Sequence, residues 1–251
     1  MGKHPAANDY IRLGDAVPLI AGFADWVDDG YAKVEGKKRG MADAASWRFW
    51  TKGSHPGELA CGIVRDSSDR FGRPYPLLLL GTGTVRDWER HWDLLPYACL
   101  PVWERAEYLG AQRYEEIGRF ESAVRGLSFP VSEWAEFSAR RAREAVSPGE
   151  GAGSPHAGPA PGGKEDGTAP GVSSVFVRLD GGLGKEPFPE ALGWLSRIRR
   201  GNDEPPNAVF FGGTLSTSYL GLFRRRLSSP DFARIWNMTA EDGGTMERGA
   251  H

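Results

Sequence analysis

The chain has 251 residues, a formal net charge of -2, 40% hydrophobic and 25% charged residues, which is the composition of a soluble globular protein. This balance lacks the basic surplus with which proteins displace counterions from nucleic acids, so we expect no nucleic-acid partner. No apolar run reaches the ~18 residues that a bilayer requires, and the first residues lack the apolar core of a signal peptide. We therefore predict a cytoplasmic protein without membrane insertion.

The N-terminal part of the chain is predicted to hold one helix. Between Val17 and Val34 the apolar residues recur every three or four positions, as on the buried face of an amphipathic helix. Asp15 suits the N-cap and Pro18 suits the first turn, where a missing backbone N–H costs nothing.

Three strands are predicted next, joined by two turns. They cover about residues 46–52, 59–65 and 75–81, and the last contains the apolar run PLLLL, which is typical of a strand buried on both faces. The segment Gly81–Thr84 is then predicted to turn into a helix capped by Thr84. The alternative for this segment is a phosphate site at the helix N-terminus.

The middle of the chain is predicted to be helical. Tryptophans spaced by four begin a helical pattern near residue 85, which Pro96 and Pro101 are expected to kink or split because each lacks a backbone donor. Further helices are predicted around 114–124 and, capped by Ser132, around Trp134.

Residues 147–171 differ from the rest in composition. About half of them are glycine or proline and almost none is large and apolar, so this segment is predicted to be a disordered insertion loop. Beyond it the predicted elements are a strand at 173–179, a helix at 187–200, a strand at 207–211, a strand or helix at 219–225 and a helix from Ser229. We expect 1–146 and 172–238 to form one domain with a shared sheet, followed by a disordered tail at 239–251.

The residue types that carry catalysis or bind metals are scattered. The five histidines do not occur at ligand spacing, and Cys61 and Cys99 lie in no Cys/His cluster. Cys61 is expected to be a buried small hydrophobe. Nucleophile motifs such as GxSxG are absent from the sequence. The sequence therefore predicts no metal site, no cofactor and no nucleophilic active site.

The densest group of charges lies in the predicted turn RDSSDRFGR. Its arginines, Arg70 and Arg73, could hold a carboxylate or a phosphate, and Asp69 could act as a general base. A phosphoester hydrolase built from Asp9 and these three residues is one hypothesis. The alternative is that the carboxylates pair with the arginines and hold the turn, with Gly72 supplying a positive backbone angle.

Four segments within about the first 80 residues form a series. They are GKHPAANDYIRLG at 2–14, the helix containing Trp26, WRF at 47–49 and GIVRDSSDRFGRPYPL at 62–77. In this order they resemble the TagF family, also called ImpM, whose members are associated with bacterial type VI secretion systems. The chain departs from the family pattern at His4, where leucine is usual, and at Asn8 and Asp66, where glycine and proline are usual.

The resemblance implies an α/β fold, a mixed β-sheet covered by helices, and a non-enzymatic role. TagF-like proteins act as post-translational repressors of type VI secretion and are thought to bind the forkhead-associated scaffold protein of the system. A cytoplasmic regulator that works by protein–protein interaction is therefore expected, and no catalytic residue or cofactor carries over from the family. The alternatives are a structural or accessory subunit of the secretion machine and the phosphoester hydrolase. The residues expected to belong to the family signature or to contact the partner are Gly2, Lys3, Asp9, Trp47, Arg48, Asp69, Arg70, Gly72 and Arg73.

Overall fold

The computed structural model describes residues 1–14, 17–34, 44–146, 173–179, 187–214 and 216–241. Within these ranges helices and strands follow one another in an α/β pattern. Their order is α1 (Pro18–Ala32), β1 (Ser46–Lys52), β2 (Glu58–Arg65), β3 (Leu77–Thr84), a 3-10 helix (Trp88–Leu94), α2 (Leu95–Ala111), α3 (Ile117–Arg125), α4 (Trp134–Val146), β4 (Ser174–Leu179), α5 (Phe188–Gly201), β5 (Ala208–Gly213), β6 (Ser218–Phe223) and α6 (Ser229–Glu241).

The strands form one sheet in the order β3-β2-β1-β5-β6-β4. Strand β1 pairs with β2 on one side, where Trp47 lies opposite Val64, and with β5 on the other, where Trp47 lies opposite Gly212. Every strand pair among the described residues is antiparallel. The predicted α/β fold, a sheet covered by helices, is confirmed, but the sheet, which was predicted to be mixed, is antiparallel in all of these pairs. Strands β1 and β5 join the earlier and later parts of the chain.

Helices cover both faces of the sheet because successive side chains of a strand point to opposite faces. On one face Trp47 and Phe49 pack with α1 and α6, where Trp236 is also buried. On the other face Trp50 packs with the 3-10 helix and with α2 to α5. There Trp103 is buried and its indole N–H donates a hydrogen bond to the carbonyl of Phe49 at 3.1 Å. Two apolar cores therefore sandwich the sheet.

The stretch from the 3-10 helix into α2 shows where its prolines are tolerated. The backbone leaves helical geometry at His91, with a φ of -127°, and Pro96 then lies in the first turn of α2. Pro101 is accommodated inside α2. The helical stretch is therefore interrupted at His91, before Pro96, and not at the proline itself. None of the helices within the described ranges combines the length and apolarity that spanning a bilayer requires.

Two local predictions are wrong. The segment Gly81–Thr84 is the end of β3 rather than a turn, because it continues in register along β2 as far as the Glu58–Thr84 pair. Val17 occupies the N-cap position of α1, and Asp15 lies outside the described residues. The segment at 219–225, for which a strand and a helix were both open, contains most of strand β6.

Two segments were predicted to be disordered, and one of them lies wholly and the other largely outside the described residues. Residues 147–171, the predicted loop, and 242–251 lie outside the described residues. Helix α6 runs to Glu241 and so includes the first three residues of the predicted tail. The arrangement of 1–146 and 172–238 as one domain with an inserted loop stays a prediction.

Gly62 of β2 allows β3 to approach closely. A Cβ at Gly62 would lie 2.1 Å from the carbonyl oxygen of Leu79. We expect Gly62→Ala to lower the free energy of unfolding by about 2 kcal/mol, since β3 has to shift to relieve the overlap. Urea unfolding measures this, with Gly118→Ala in α3 as the control, because nothing lies within 4 Å of a Cβ there. Equal stabilities of the two variants would contradict the expectation.

Candidate partner-binding surface

The turn between β2 and β3 is built around the carboxylate of Asp69, whose side chain has no exposed surface. Its Oδ1 accepts hydrogen bonds from the backbone N–H groups of Phe71 and Arg73, both at 3.0 Å. Its Oδ2 accepts one from Nε of Arg73 at 2.7 Å and lies 3.1 Å from Nζ of Lys3. These four donors satisfy both oxygens, so the carboxylate fixes the shape of the turn.

The same donors keep Asp69 ionised. Burial by itself raises the pKa of a carboxyl group, but hydrogen bonds from Arg73, Lys3 and Phe71 outweigh it and lower the pKa of Asp69 to about 2. Asp69 is therefore negatively charged at neutral pH, where it can pair with both cations. A carboxylate this acidic is a poor general base near pH 7.

Further contacts attach the turn to the N-terminal segment. The backbone N–H of Arg70 donates a hydrogen bond to the carbonyl of Ala7 at 2.9 Å. Nη2 of Arg73 donates one to the carbonyl of Asn8 at 2.7 Å and lies 3.4 Å from Oδ2 of Asp9. Arg73 therefore joins the carboxylate of Asp69 to the N-terminal segment, and the two parts of the chain stabilise each other.

Backbone geometry accounts for two glycines of the predicted signature. Gly2 has a φ of 115°, and a Cβ there would lie 1.9 Å from the carbonyl oxygen of Pro76. Gly72 has a φ of 74°, a region that glycine enters without steric cost, and its N–H donates a hydrogen bond to the carbonyl of Asp69 at 2.9 Å. The positive angle predicted for Gly72 is confirmed.

His4 stands where the family pattern has leucine, and it is packed as an apolar residue would be. Its ring is buried and stacks on Phe120 with 4.2 Å between the ring centroids. Its Nδ1 accepts a hydrogen bond from the backbone N–H of Ala6 at 3.1 Å. Burial, and then the charge of Arg65, lower the pKa of His4, so the ring is neutral at pH 7.

The solvent-facing residues of this region form a small mixed patch. Phe71 is 69% exposed and Tyr10 is 37% exposed. The guanidinium carbon of Arg73 lies 5.7 Å from the centroid of the Phe71 ring, and Arg70 is exposed beside it. We call the residues of this patch the turn surface: Asp9, Tyr10, Arg70, Phe71 and Arg73. Sequence reasoning missed both aromatic residues, although a phenylalanine between two arginines in a turn is itself a signal.

Trp47 and Arg48 belong to the sheet and its helical cover rather than to the turn. Trp47 is completely buried in the core beside α1 and α6. Arg48 forms a forked pair with Glu107 of α2, at 2.8 and 2.7 Å, and its guanidinium carbon lies 5.3 Å from the centroid of the Phe211 ring. The structure thus brings together seven of the nine predicted residues and separates these two from them in the fold.

Of the four residues in the hydrolase hypothesis, three are in contact, because Arg73 forms ion pairs with both Asp69 and Asp9. Neither carboxylate is suited to base catalysis. Asp69 is enclosed and acidic, and the backbone N–H of Tyr10, followed by the charge of Arg73, lowers the pKa of Asp9. In the described ranges no group of three or more His, Cys, Asp or Glu side chains is placed to hold a metal ion. The geometry is that of ion pairs that order a turn.

Sequence reasoning missed a second cluster of charges. Asp93 of the 3-10 helix is 3% exposed and pairs with Arg141 of α4 and Arg199 of α5, beside a cleft of about 1020 Å3 between those helices. Arg141 also donates a hydrogen bond to the hydroxyl of Ser196 at 3.1 Å, and Arg199 pairs with Asp203 at 2.8 Å. Arg141 and Arg199 lie 48 and 106 residues away from Asp93 in the sequence, so no local sequence pattern indicates that these residues pair.

Comparisons with known proteins agree with this fold and its N-terminal signature. The crystal structure of PA0076 from Pseudomonas aeruginosa PAO1 is similar with a TM-score of 0.51 over 94% of this chain and 91% of that one. The sequence identity is 17%, so this likeness shows a shared fold. No curated protein matches the chain. The model of the TagF N-terminal domain, described as type VI secretion system-associated, matches residues 1–128, which include the turn and strands β1 to β3. The chain therefore belongs to the TagF family of type VI secretion system-associated proteins.

Proposed function

We propose that the protein is a non-enzymatic cytoplasmic regulator that represses type VI secretion system assembly after translation. It does so by binding the forkhead-associated scaffold protein of the system through the turn surface. The observation that carries the proposal is membership of a family described as type VI secretion system-associated. The fully satisfied carboxylate of Asp69 supports a binding role for the turn over a catalytic one.

The turn surface has the properties of a small binding site. Asp69 and the N-terminal segment fix the backbone of the turn, so Phe71 and Arg70 are displayed without the entropy cost of ordering a loop on binding. Exposed aromatic rings and arginines are the side chains that most often contribute large binding energies. Phe71 is the most exposed large hydrophobic residue in the described part of the chain.

Removal of the Phe71 ring is expected to weaken binding to the scaffold protein about 30-fold, which corresponds to about 2 kcal/mol for a central anchor residue. Isothermal titration calorimetry of Phe71→Ala against the scaffold protein of the same gene cluster measures this. Tyr108→Ala is the matched control, because Tyr108 is also aromatic and 53% exposed but lies on α2. Equal affinities of the two variants would exclude the turn surface as the contact.

Two further measurements separate the proposal from its alternatives. Arg70→Glu should weaken binding and change the melting temperature little, since Arg70 is exposed and the hydrogen bond from its Nη2 to the carbonyl of Ala6 is long, at 3.5 Å. Deletion of the gene should raise secretion if the protein is a repressor, and unchanged secretion together with no scaffold binding would refute the proposal. Co-purification in fixed stoichiometry with sheath or baseplate components would instead support an accessory subunit.

A further inference from the structure

The neutral ring of His4 fixes a turn of the N-terminal segment. Its Nδ1 accepts the hydrogen bond from the backbone N–H of Ala6, and the carbonyl of His4 accepts one from the N–H of Ala7 at 2.9 Å. Because Nδ1 is an acceptor, the single proton of the neutral imidazole lies on Nε2. The side chain and the backbone of His4 therefore hold the same turn, at residues 4–7.

The site of this ring has no place for a second proton. Protonation of Nδ1 would leave two donors, the new Nδ1–H and the N–H of Ala6, facing each other. Nε2 is buried as well, and no acceptor for it lies among the described residues. The imidazolium of His4 would therefore be buried without an acceptor on either nitrogen, which costs far more free energy than burial of the neutral ring.

The groups around the ring do not compensate for a positive charge. Phe120 of α3 stacks on it, and the centroid of the Tyr114 ring lies 5.7 Å from its own. Arg65 of β2 is the charged residue that acts on the ring, and its like charge opposes protonation. The carboxylates of Asp66 and Glu107 act on Arg65 instead. The neutral ring fits this site and the imidazolium does not.

The residues next to this ring also hold the turn surface. The carbonyl of Ala7 accepts the hydrogen bond from the N–H of Arg70, and the carbonyl of Asn8 accepts the one from Nη2 of Arg73. Lys3 lies 3.1 Å from the central carboxylate of the turn. Detachment of the segment would remove all of these contacts from the turn surface.

We propose that His4 is an acid-sensitive switch whose protonation detaches residues 1–8 and thereby disorders the turn surface. The proton adds to Nδ1, and the imidazolium leaves its site for water, where both N–H groups find acceptors. Burial and Arg65 hold the pKa of the enclosed ring below its ordinary value of 6.5, so the detached state binds the proton more tightly. The attached state is therefore fully favoured above about pH 7 and loses stability as the pH falls below 6.5. The release follows from the contacts of His4, whereas its effect on partner binding rests on the proposed function.

Amide exchange of the full chain, followed by NMR, measures the release. The reporter is the N–H of Arg70, because its acceptor is the carbonyl of Ala7. Its protection factor, corrected for the intrinsic exchange rate, should fall about tenfold from pH 7.5 to pH 5.5, since a detached imidazole of pKa 6.5 is then about ten times more often protonated than neutral. The N–H of Val85, bonded to the carbonyl of Gly57 at the other end of β3, should keep its protection.

Two substitutions remove the titrating group from the site. His4→Asn keeps an acceptor for the N–H of Ala6 but cannot ionise, and His4→Leu supplies the residue that is usual in the family. In both variants the protection of the Arg70 N–H should change less than about twofold between the two pH values. His55→Asn is the matched control, because His55 is exposed, and it should retain the tenfold fall.

Several results would overturn the switch. Unchanged protection of the Arg70 N–H at pH 5.5 would do so, as would an equal fall in the His4→Asn or His4→Leu variant. If neither variant folds, the ring signal of His4 in the unmodified protein decides, because titration with a pKa of 6.5 or above while the Arg70 N–H stays protected would exclude the switch.

The scaffold protein adds a separate measurement. The unmodified protein should lose affinity for it about tenfold at pH 5.5, and His4→Leu should not. Absence of binding at pH 7.5 would refute the proposed function and leave the switch intact, since amide exchange detects the release without a partner.

Discussion

Asp69→Ala is expected to lower the melting temperature by on the order of 10 °C and to abolish binding to the scaffold protein. The substitution removes the acceptor for two backbone N–H groups of the turn and leaves Arg73 and Lys3 without their shared carboxylate. The turn then loses both its shape and its attachment to the N-terminal segment. Differential scanning calorimetry and titration with the scaffold protein measure the two effects.

The pH dependence of stability provides a second measurement of the same group. The pKa of Asp69 is about 2 in the folded protein, below its ordinary value of 3.8, so the folded state holds this proton less tightly than the unfolded state. Its stabilising contribution is therefore complete above about pH 4 and is lost as the pH falls from about 4 towards 2.

Asp69→Asn is the matched control, because it keeps an oxygen for the backbone donors but cannot ionise. Its melting temperature should fall less than that of Asp69→Ala, and its stability should change less than that of the unmodified protein between pH 4 and pH 2. Identical pH profiles for Asp69→Asn and the unmodified protein would show that Asp69 does not hold the turn as an anion.

Asp93→Ala is expected to reduce the free energy of unfolding by about 3 kcal/mol. Asp93 is buried, and its carboxylate pairs with Arg141 of α4 and Arg199 of α5, so its removal leaves two partly buried cations without their counterion. The 3-10 helix, α4 and α5 lose the group that joins them. Urea unfolding followed by circular dichroism measures the change.

Asp203→Ala is the control for this prediction. Asp203 pairs with the same Arg199 at 2.8 Å, but its side chain is 80% exposed, and exposed pairs contribute about 1 kcal/mol or less. Similar losses of stability for the two variants would mean that the burial of Asp93 does not matter and would contradict the expectation.

Local patterns were sufficient to predict most of the strands and helices, although the segment at 219–225, which contains most of β6, was left open between a strand and a helix. Strand β1 was predicted with its observed bounds, and its aromatic residues face both cores: Trp47 and Phe49 lie in one and Trp50 in the other. The end of β3 was missed because Gly81 and Gly83 have the appearance of a turn. Pairing with β2 and the ring of Phe129, which packs against both glycines, decide the structure of that segment.

The candidate site was predicted in part for the same reason. The charged turn was visible because its residues are adjacent in sequence, and internal pairing was already one of the two interpretations. The contacts of the turn with Lys3, Asn8 and Asp9 depend on the fold. It brings together segments that lie about 65 residues apart in the sequence, such as those of Arg73 and Asn8. Arg48 was expected at the partner surface, but the sequence alone does not reveal that Glu107 satisfies it.

The position of β5 beside β1 has a consequence for synthesis on the ribosome. The register pairs Trp50 with Val209, so β1 has a partner on one edge only until about 150 further residues have been translated. At the usual speed of synthesis this lasts roughly 10–30 s, during which an apolar strand edge can pair with other chains. One edge of a central strand of the finished sheet is thus open to wrong pairing while the rest of the chain is synthesised.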